Sequence, residues 1–204
     1  MKAVIFLNGN APSVEEIKRA ESSTDFILCA DGAYNYLCNI IKPSVILGDF
    51  DSVNSRNFPK ACEIIEFNPE KDYTDGELSV KIALERGYNE IEIYGAMGGR
   101  PDHEYANYGL LIQAREGGAK AKIVSGNWEI SIIDGAQTFA TSKGKTVSFA
   151  PLYESAHIIK TSGLKYQATD VTVVRSQSLT ISNVALGEGA GIETEGEMLL
   201  FVER

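Results

Sequence analysis

Two carboxylates separated by one residue, Asp49 and Asp51 in Leu47-Gly48-Asp49-Phe50-Asp51-Ser52, follow directly on the apolar run Ser44-Val45-Ile46-Leu47. A bare pair so close repels itself, and a bound cation relieves that repulsion. If Val45 to Gly48 is a buried strand of a parallel sheet, both aspartates stand at its carboxyl end, where open α/β sheets bind their ligands. Mg²⁺ is the natural occupant, because it takes one or two carboxylates and leaves its other positions to water and substrate phosphates.

Other chemistry-bearing residues fall at comparable places. Asp31 follows the apolar run Phe26 to Ala30, and Asp72 and Asp75 lie beyond Ile64 to Phe67. The loop Gly95-Ala96-Met97-Gly98-Gly99-Arg100-Pro101-Asp102-His103 follows Ile91 to Tyr94. Gly98 and Gly99 allow close backbone approach to phosphate, Arg100 can fork onto phosphate oxygens, and helix starts expected at Thr74 and Asp102 present N–H groups to anions. Each piece also has an ordinary explanation. Asp31-Gly32 is a turn signal, Thr74 with Glu77 a helix cap, and Asp75 suits a first turn through the helix dipole. His103 has no second histidine near enough in sequence to suggest zinc. Five such clusters expected along one sheet edge nevertheless argue for a site.

The elements that must position these residues are readable from periodicity. Apolar runs at Ala3 to Leu7, Phe26 to Ala30, Val45 to Leu47, Ile64 to Phe67, Ile91 to Tyr94 and Ala121 to Val124 read as strands. Between them, Ser13-Val14-Glu15-Glu16 and Thr74-Asp75-Gly76-Glu77 carry the capping-box signature of helix starts. Repeated β-then-α order calls for a parallel sheet covered by helices. From about Trp128 the pattern changes to short alternating runs, among them Glu129 to Ile133, Thr146 to Phe149, His157 to Lys160, Asp170 to Val174, Leu179 to Ile181 and Met198 to Val202. Turn signals at Asp134-Gly135, Ser142-Lys143-Gly144, Ser162-Gly163 and Leu186-Gly187-Glu188-Gly189 separate them, as in an all-β sandwich or barrel. The expected class is therefore α/β: an N-terminal Rossmann-like parallel-sheet domain with helices on both faces, residues 1–128, followed by a smaller β-sandwich, residues 129–204. Gly144-Lys145-Thr146 lacks the upstream glycine of a P-loop and reads as a turn.

The 204 residues carry a formal net charge of -9, a pI near 4.8 and 44% hydrophobic residues. That balance argues against a nucleic-acid-binding surface and requires local neutralisation for an anionic ligand such as a nucleotide. Cys29, Cys38 and Cys62 show no metal-binding or redox spacing and suit a reducing cytoplasm. The apolar run after Met1 is broken at Asn8-Gly9-Asn10, too early for a signal peptide, and no segment approaches a membrane span.

With these residues in view, the chain resembles the thiamine pyrophosphokinase family, which moves a diphosphate from ATP to thiamine and releases AMP. The resemblance rests on Ala30-Asp31-Gly32-Ala33, Gly48-Asp49-Phe50-Asp51-Ser52, Lys71-Asp72-Tyr73-Thr74-Asp75, the block Gly95 to His103 with Asn107 and Leu110-Leu111 behind it, and Ser182-Asn183. It implies an N-terminal catalytic domain, a C-terminal thiamine-binding β-sandwich and a homodimer with thiamine sites between subunits. By analogy Asp49, Asp51 and Asp75 hold Mg²⁺ and phosphates, and Arg100 and Asp102 complete the reacting centre. Asp31, Lys71, Asp72, Thr74, Gly98, Gly99 and His103 fall on the nucleotide side, while Tyr166, Ser182 and Asn183 receive the aminopyrimidine. Members often carry tryptophan where this chain has Tyr166, and glycine where it has Thr180. Tyrosine keeps a stacking face, so a modified thiamine pocket is expected. Two rivals remain: a metal-dependent nucleotide-sugar transferase, which leaves the Thr74-Asp75 and Gly98 to His103 blocks unexplained, and a non-catalytic nucleotide- or thiamine-binding module, which has no need of so many carboxylates.

Overall fold

The computed structural model describes residues 1–68 and 72–204. They divide into two compact units, Met1–Gly126 and Asn127–Arg204.

In the first unit the expected alternation is realised except between the strands Val45–Gly48 and Glu63–Glu66, which follow one another without a helix. The elements are β1 (Lys2–Phe6), α1 (Val14–Glu21), β2 (Ile27–Ala30), α2 (Tyr34–Leu37), β3 (Val45–Gly48), β4 (Glu63–Glu66), α3 (Asp75–Glu85), β5 (Glu90–Tyr94), α4 (Pro101–Glu116) and β6 (Lys120–Ser125). The strands lie in the order β6-β5-β1-β2-β3-β4, every neighbouring pair parallel. Successive strands are added on one side of β1 as far as β4, and then β5 and β6 on the other. This places a topological switch point between β1 and β5, the kind of position at which open α/β sheets bind their ligands.

Local chemistry explains the helix starts. Ser13 Oγ accepts from Glu16 N while the Glu16 carboxylate accepts from Ser13 N, and Thr74 and Glu77 form the same reciprocal pair at α3. β2 and β3 are buried along their whole length, which is why they read as unbroken apolar runs. Phe6, Tyr94, Ile46, Leu37 and Phe50 belong to one core cluster, with Phe6 stacked on Tyr94 at 5.3 Å between ring centres. Truncating such a residue to alanine costs about 3–5 kcal/mol for an aromatic and about 2–5 for Ile46. The edge strand β4 is mostly exposed, and its Glu63 and Glu66 are paired with Arg86 and Arg56, so charge guards the open edge.

The second unit is antiparallel: β7 (Trp128–Ala140), β8 (Thr146–Pro151), β9 (Ser155–Ser162), β10 (Thr169–Val174), β11 (Asn183–Val184) and β12 (Gly189–Glu203). β12 pairs with β7 along most of its length, with β9 through its first half and with β8 through its second. Side chains from these strands, including Ile133, Phe149, Ile158, Val173 and Leu200, share one core.

Two expectations fail here. Asp134-Gly135 does not end a strand; β7 runs through it, because Glu195, Gly196 and Glu197 of β12 bulge opposite Asp134 and the ladder resumes on both sides. Leu179 to Ile181 is a turn rather than a strand, with Leu179 65% and Ile181 46% exposed. The Thr180 hydroxyl donates to Phe149 O at 2.7 Å, and Ser182 follows at φ +64, so the chain bends away before β11.

Candidate active site

The carboxyl ends of β1, β2, β3 and β5, together with the start of α3, enclose a cleft of about 610 Å3 in the first unit. The loop after β1 is threaded along the loop after β5. Leu7 N donates to Tyr94 O, Gly9 N to Gly95 O and Asn10 N to Met97 O, at 2.7 to 2.8 Å. The approach is close enough to require glycine at Gly95, where φ is +66 and an added Cβ would sit 2.1 Å from Leu7 O. Tyr36 braces this junction from below, its hydroxyl donating to Leu7 O at 2.7 Å.

Asp31, Asp49 and Asp51 converge on one wall of the cleft, each offering a carboxylate oxygen within 4.8 Å of the other two. Asp31 opens a 3₁₀ turn immediately after β2, in the left-handed region at φ +43, and is 7% exposed. Its Oδ1 is buried and accepts no hydrogen bond. Burial pushes the Asp31 carboxyl above its ordinary range, Asp75 and Asp49 adding to the effect and the Ser52 hydroxyl and Gly32 N–H opposing it. Across the turn, Asp51 N donates to Asp49 Oδ1 at 3.1 Å and the Ser52 hydroxyl donates to Asp51 Oδ1 at 2.8 Å. A carboxylate that keeps a buried acceptor without a donor and stands beside two further carboxylates is an arrangement that a divalent cation completes.

Thr74 and Asp75 line the cleft from the first turn of α3. Asp75 shares the cavity but stands outside the group of three mutually close carboxylates, which Asp31 completes. Asp72 is exposed and is not among the lining residues; Lys71 lies outside the described residues.

From the other wall come Gly98, Arg100 and His103. Gly98 N donates to Glu104 Oε1 at 2.7 Å and the Asn107 amide donates to Ala96 O, so α4 holds the glycine loop from behind. Gly98 (φ +79) and Gly99 (φ +125) both use conformations that other residues rarely adopt. Arg100 forks onto Asp102 through Nε at 3.1 Å and Nη2 at 2.6 Å. That hydrogen bond holds the Asp102 carboxyl down to about 2. Gly99 and Asp102 are not lining residues, and Asp102 reaches the cleft only through Arg100.

In the second unit, Tyr166 and Asn183 border a recess of about 200 Å3 with Phe149, Val171 and Ile181. Tyr166 is 61% exposed, and Lys165 Nζ lies 5.1 Å over its ring. Asn183 is buried and committed: Oδ1 accepts from Tyr166 N and Val184 N, and Nδ2 donates to Tyr166 O at 2.6 Å. Ser182 is exposed beside it, with its N–H donating to the Ser148 hydroxyl.

Sequence reasoning missed Asn8 and Glu104, both of which line the cleft. Asn8-Gly9-Asn10 drew notice only as the break in an apolar run, although a strand followed at once by two amides and a glycine is itself a ligand-loop signal at a switch point.

Residues 17–123 match the thiamin pyrophosphokinase catalytic domain, and residues 130–199 match the thiamin pyrophosphokinase vitamin B1 binding domain. The chain is 31% identical to the thiamine pyrophosphokinase of Bacillus subtilis over 70% of either chain. It is 23% identical to thiamin pyrophosphokinase 1 of Caenorhabditis elegans over 98% of this chain and 88% of that protein. Among solved structures, the Bacillus subtilis thiamine pyrophosphokinase superposes with a TM-score of 0.86 at 24% identity, covering 100% of this chain and 99% of the other. Candida albicans thiamin pyrophosphokinase gives 0.85 at 18%, covering 98% and 89%.

Proposed function

The chain belongs to the thiamin pyrophosphokinase family and transfers a diphosphate from ATP to thiamine, and we propose that the cleft around Asp31, Asp49, Asp51 and Asp75 is where it does so. The observation that carries this assignment is the convergence of the Asp31, Asp49 and Asp51 carboxylates, one of which, Asp31, keeps a buried Oδ1 without a hydrogen-bond partner. Those residues fit Mg²⁺, with Asp31, Asp49 and Asp51 as its holders and Asp75 at hand across the cavity. Bound there, the ion would neutralise phosphate charge in the transition state.

The chain's own groups supply the rest. Gly98 gives bare backbone for the phosphates, Gly99 is assigned beside it by kinship alone, and Arg100, oriented by Asp102, presents its remaining N–H groups to developing negative charge. The hydroxyethyl oxygen of thiamine attacks the β-phosphorus in line with AMP as leaving group, so positioning and charge neutralisation carry most of the rate. Of the two carboxylates that could accept the hydroxyl proton, Asp102 is forked onto Arg100 and is a poor base. Asp75 is the better placed. Lys71, Asp72, Thr74 and His103 are assigned to the nucleotide side by kinship.

In the second unit, Tyr166 offers one ring face for stacking while Lys165 covers the other, and Asn183 fixes the backbone that carries the ring. Kinship also supports a Rossmann-like first domain, a β-sandwich second domain and a homodimer with thiamine bound between subunits. Leu179, Ile181 and Tyr166, exposed around the recess, form an apolar surface for a second subunit to cover. The net charge of -9 supports the absence of nucleic-acid binding, and a cytoplasmic setting is proposed with it. No helix of the described residues is long and apolar enough to cross a membrane.

The test is to resolve the products formed from ATP, Mg²⁺ and thiamine, with controls lacking metal or thiamine. Thiamine diphosphate and AMP in equal amounts are expected. Release of a nucleoside diphosphate, or ligand binding without product, would instead favour the transferase or the binding module.

A further inference from the structure

The turn that carries the two aspartates is fastened from outside the cleft by one side chain. Arg56 Nη2 donates to Asp49 O at 3.1 Å, and its Nη1 donates to Glu66 Oε1 at 2.8 Å. The guanidinium carbon lies 5.4 Å from the centre of the Phe50 ring. Phe50 is the residue between the two aspartates; it sits at φ +61, is 4% exposed, and packs on Phe58 at 5.0 Å. Glu66 is itself fixed in β4, opposite Gly48. One cation therefore ties the backbone of Asp49, the ring of Phe50 and a neighbouring strand together.

As an ion pair this would matter little, since the Arg56 and Glu66 side chains are 55% and 59% exposed. Its leverage is on the turn. Asp49 and Asp51, with Asp31, repel one another when bare, and the left-handed Phe50 gives the turn a conformation that an L side chain leaves readily. We propose that Arg56 is a positioning residue which keeps the Asp49 and Asp51 carboxylates converged for a divalent cation; this rests on the metal-site reading above. The charge of Arg56 acts in the opposite sense, because a cation near the site repels another. A lysine at the position keeps that charge, yet a single ammonium cannot serve the Asp49 carbonyl, Glu66 and the Phe50 face together.

The experiment is Mn²⁺ titration of the nucleotide-free protein, read by calorimetry, for wild type, Arg56→Lys, Glu66→Gln and Asp51→Asn. Arg56→Lys is expected to weaken Mn²⁺ binding roughly tenfold, as loss of a partner behind a metal ligand does. In turnover its KM for Mg²⁺ rises while kcat at saturating Mg²⁺ is kept, a split that a general loss of folding does not produce. Glu66→Gln, which leaves Arg56 in place but loosens its anchor, should move the same way by a smaller factor, and it decides the matter if Arg56→Lys does not fold. Unchanged Mn²⁺ affinity in Arg56→Lys and Glu66→Gln, with binding lost in Asp51→Asn, overturns the inference. Unchanged affinity in Asp51→Asn as well removes the metal site on which it rests.

Discussion

Gly48 and Asp31 lie so close that a Cβ added to Gly48 would stand 2.8 Å from the Asp31 Cβ. The end of β3 thus has no room for a side chain because the aspartate at the end of β2 occupies it. Gly48 is also at φ +150, so Gly48→Ala combines a clash with backbone strain of about 1–3 kcal/mol. The expected result is a protein that folds, by circular dichroism, with a lowered melting temperature and severely reduced turnover, since relief comes most easily by pushing Asp31 out of the carboxylate cluster. Wild-type activity in Gly48→Ala would show that Asp31 need not hold its observed position.

Asp51 is exposed, and its carboxylate accepts a local hydrogen bond from the Ser52 hydroxyl. Asp51→Asn therefore should leave the stability within about 0.5 kcal/mol of wild type, the usual range for a surface change, with the melting temperature as the readout. Turnover should fall by orders of magnitude because a carboxylate holding the cation is lost. Near-normal turnover in the folded variant would take Asp51 out of the metal site.

Much of the cleft was legible because strand ends are legible. The run Val45 to Leu47, buried throughout, announces β3, and whatever follows a buried parallel strand lies at the sheet's carboxyl edge. The capping boxes at Ser13 and Thr74 are short-range chemistry and were readable for the same reason. What depends on strand neighbours was not. Asp31 stands with Asp49 and Asp51 because β2 pairs with β3, a contact that no local pattern records, and Arg56 reaches Asp49 only because its loop returns along β4. The long β7 was hidden by Asp134-Gly135, where local turn chemistry yields to the ladder that β12 supplies on either side.

Arg100 and Asp102 form an exposed fork whose function is orientation. With the Asp102 carboxyl at about 2, below its ordinary range near 3.9, the pair stays ionised at every pH above that ordinary value and begins to be lost only in strong acid. Asp102→Asn should therefore lower kcat while leaving the positions of both limbs of the pH–rate profile between pH 5 and 9 unchanged. A limb that vanishes in Asp102→Asn would make Asp102 the proton acceptor instead.

Glu92 joins three strands of the first unit. It pairs with Lys2 of β1 at 2.8 Å and Lys122 of β6 at 3.2 Å, and it accepts from the Tyr94 hydroxyl. Burial alone would raise its carboxyl, but the two lysines outweigh it and the net direction is down. A depressed folded value means stability that is present above the ordinary glutamate range, near 4.3, and lost as pH falls through the folded value. Glu92→Gln should cost about 1–3 kcal/mol at pH 7 and much less at pH 3. A melting-temperature difference that persists undiminished in acid would mean that shape, and not charge, is what Glu92 contributes.

Asn183 holds the polypeptide under Tyr166 with three hydrogen bonds, two accepted from Tyr166 N and Val184 N and one donated to Tyr166 O. None of them points at a ligand, so its part in thiamine binding runs through the position of the tyrosine ring. Asn183→Ala leaves those backbone groups unpaired in a buried place and should cost about 1–3 kcal/mol of stability. It should also raise the KM for thiamine while the KM for ATP is unmoved. Tyr166→Trp, by contrast, enlarges the stacking face without touching the brace, and a lower thiamine KM is the expected outcome. Were Asn183→Ala to raise both KM values equally, Asn183 would be acting on the fold at large and not on the Tyr166 recess.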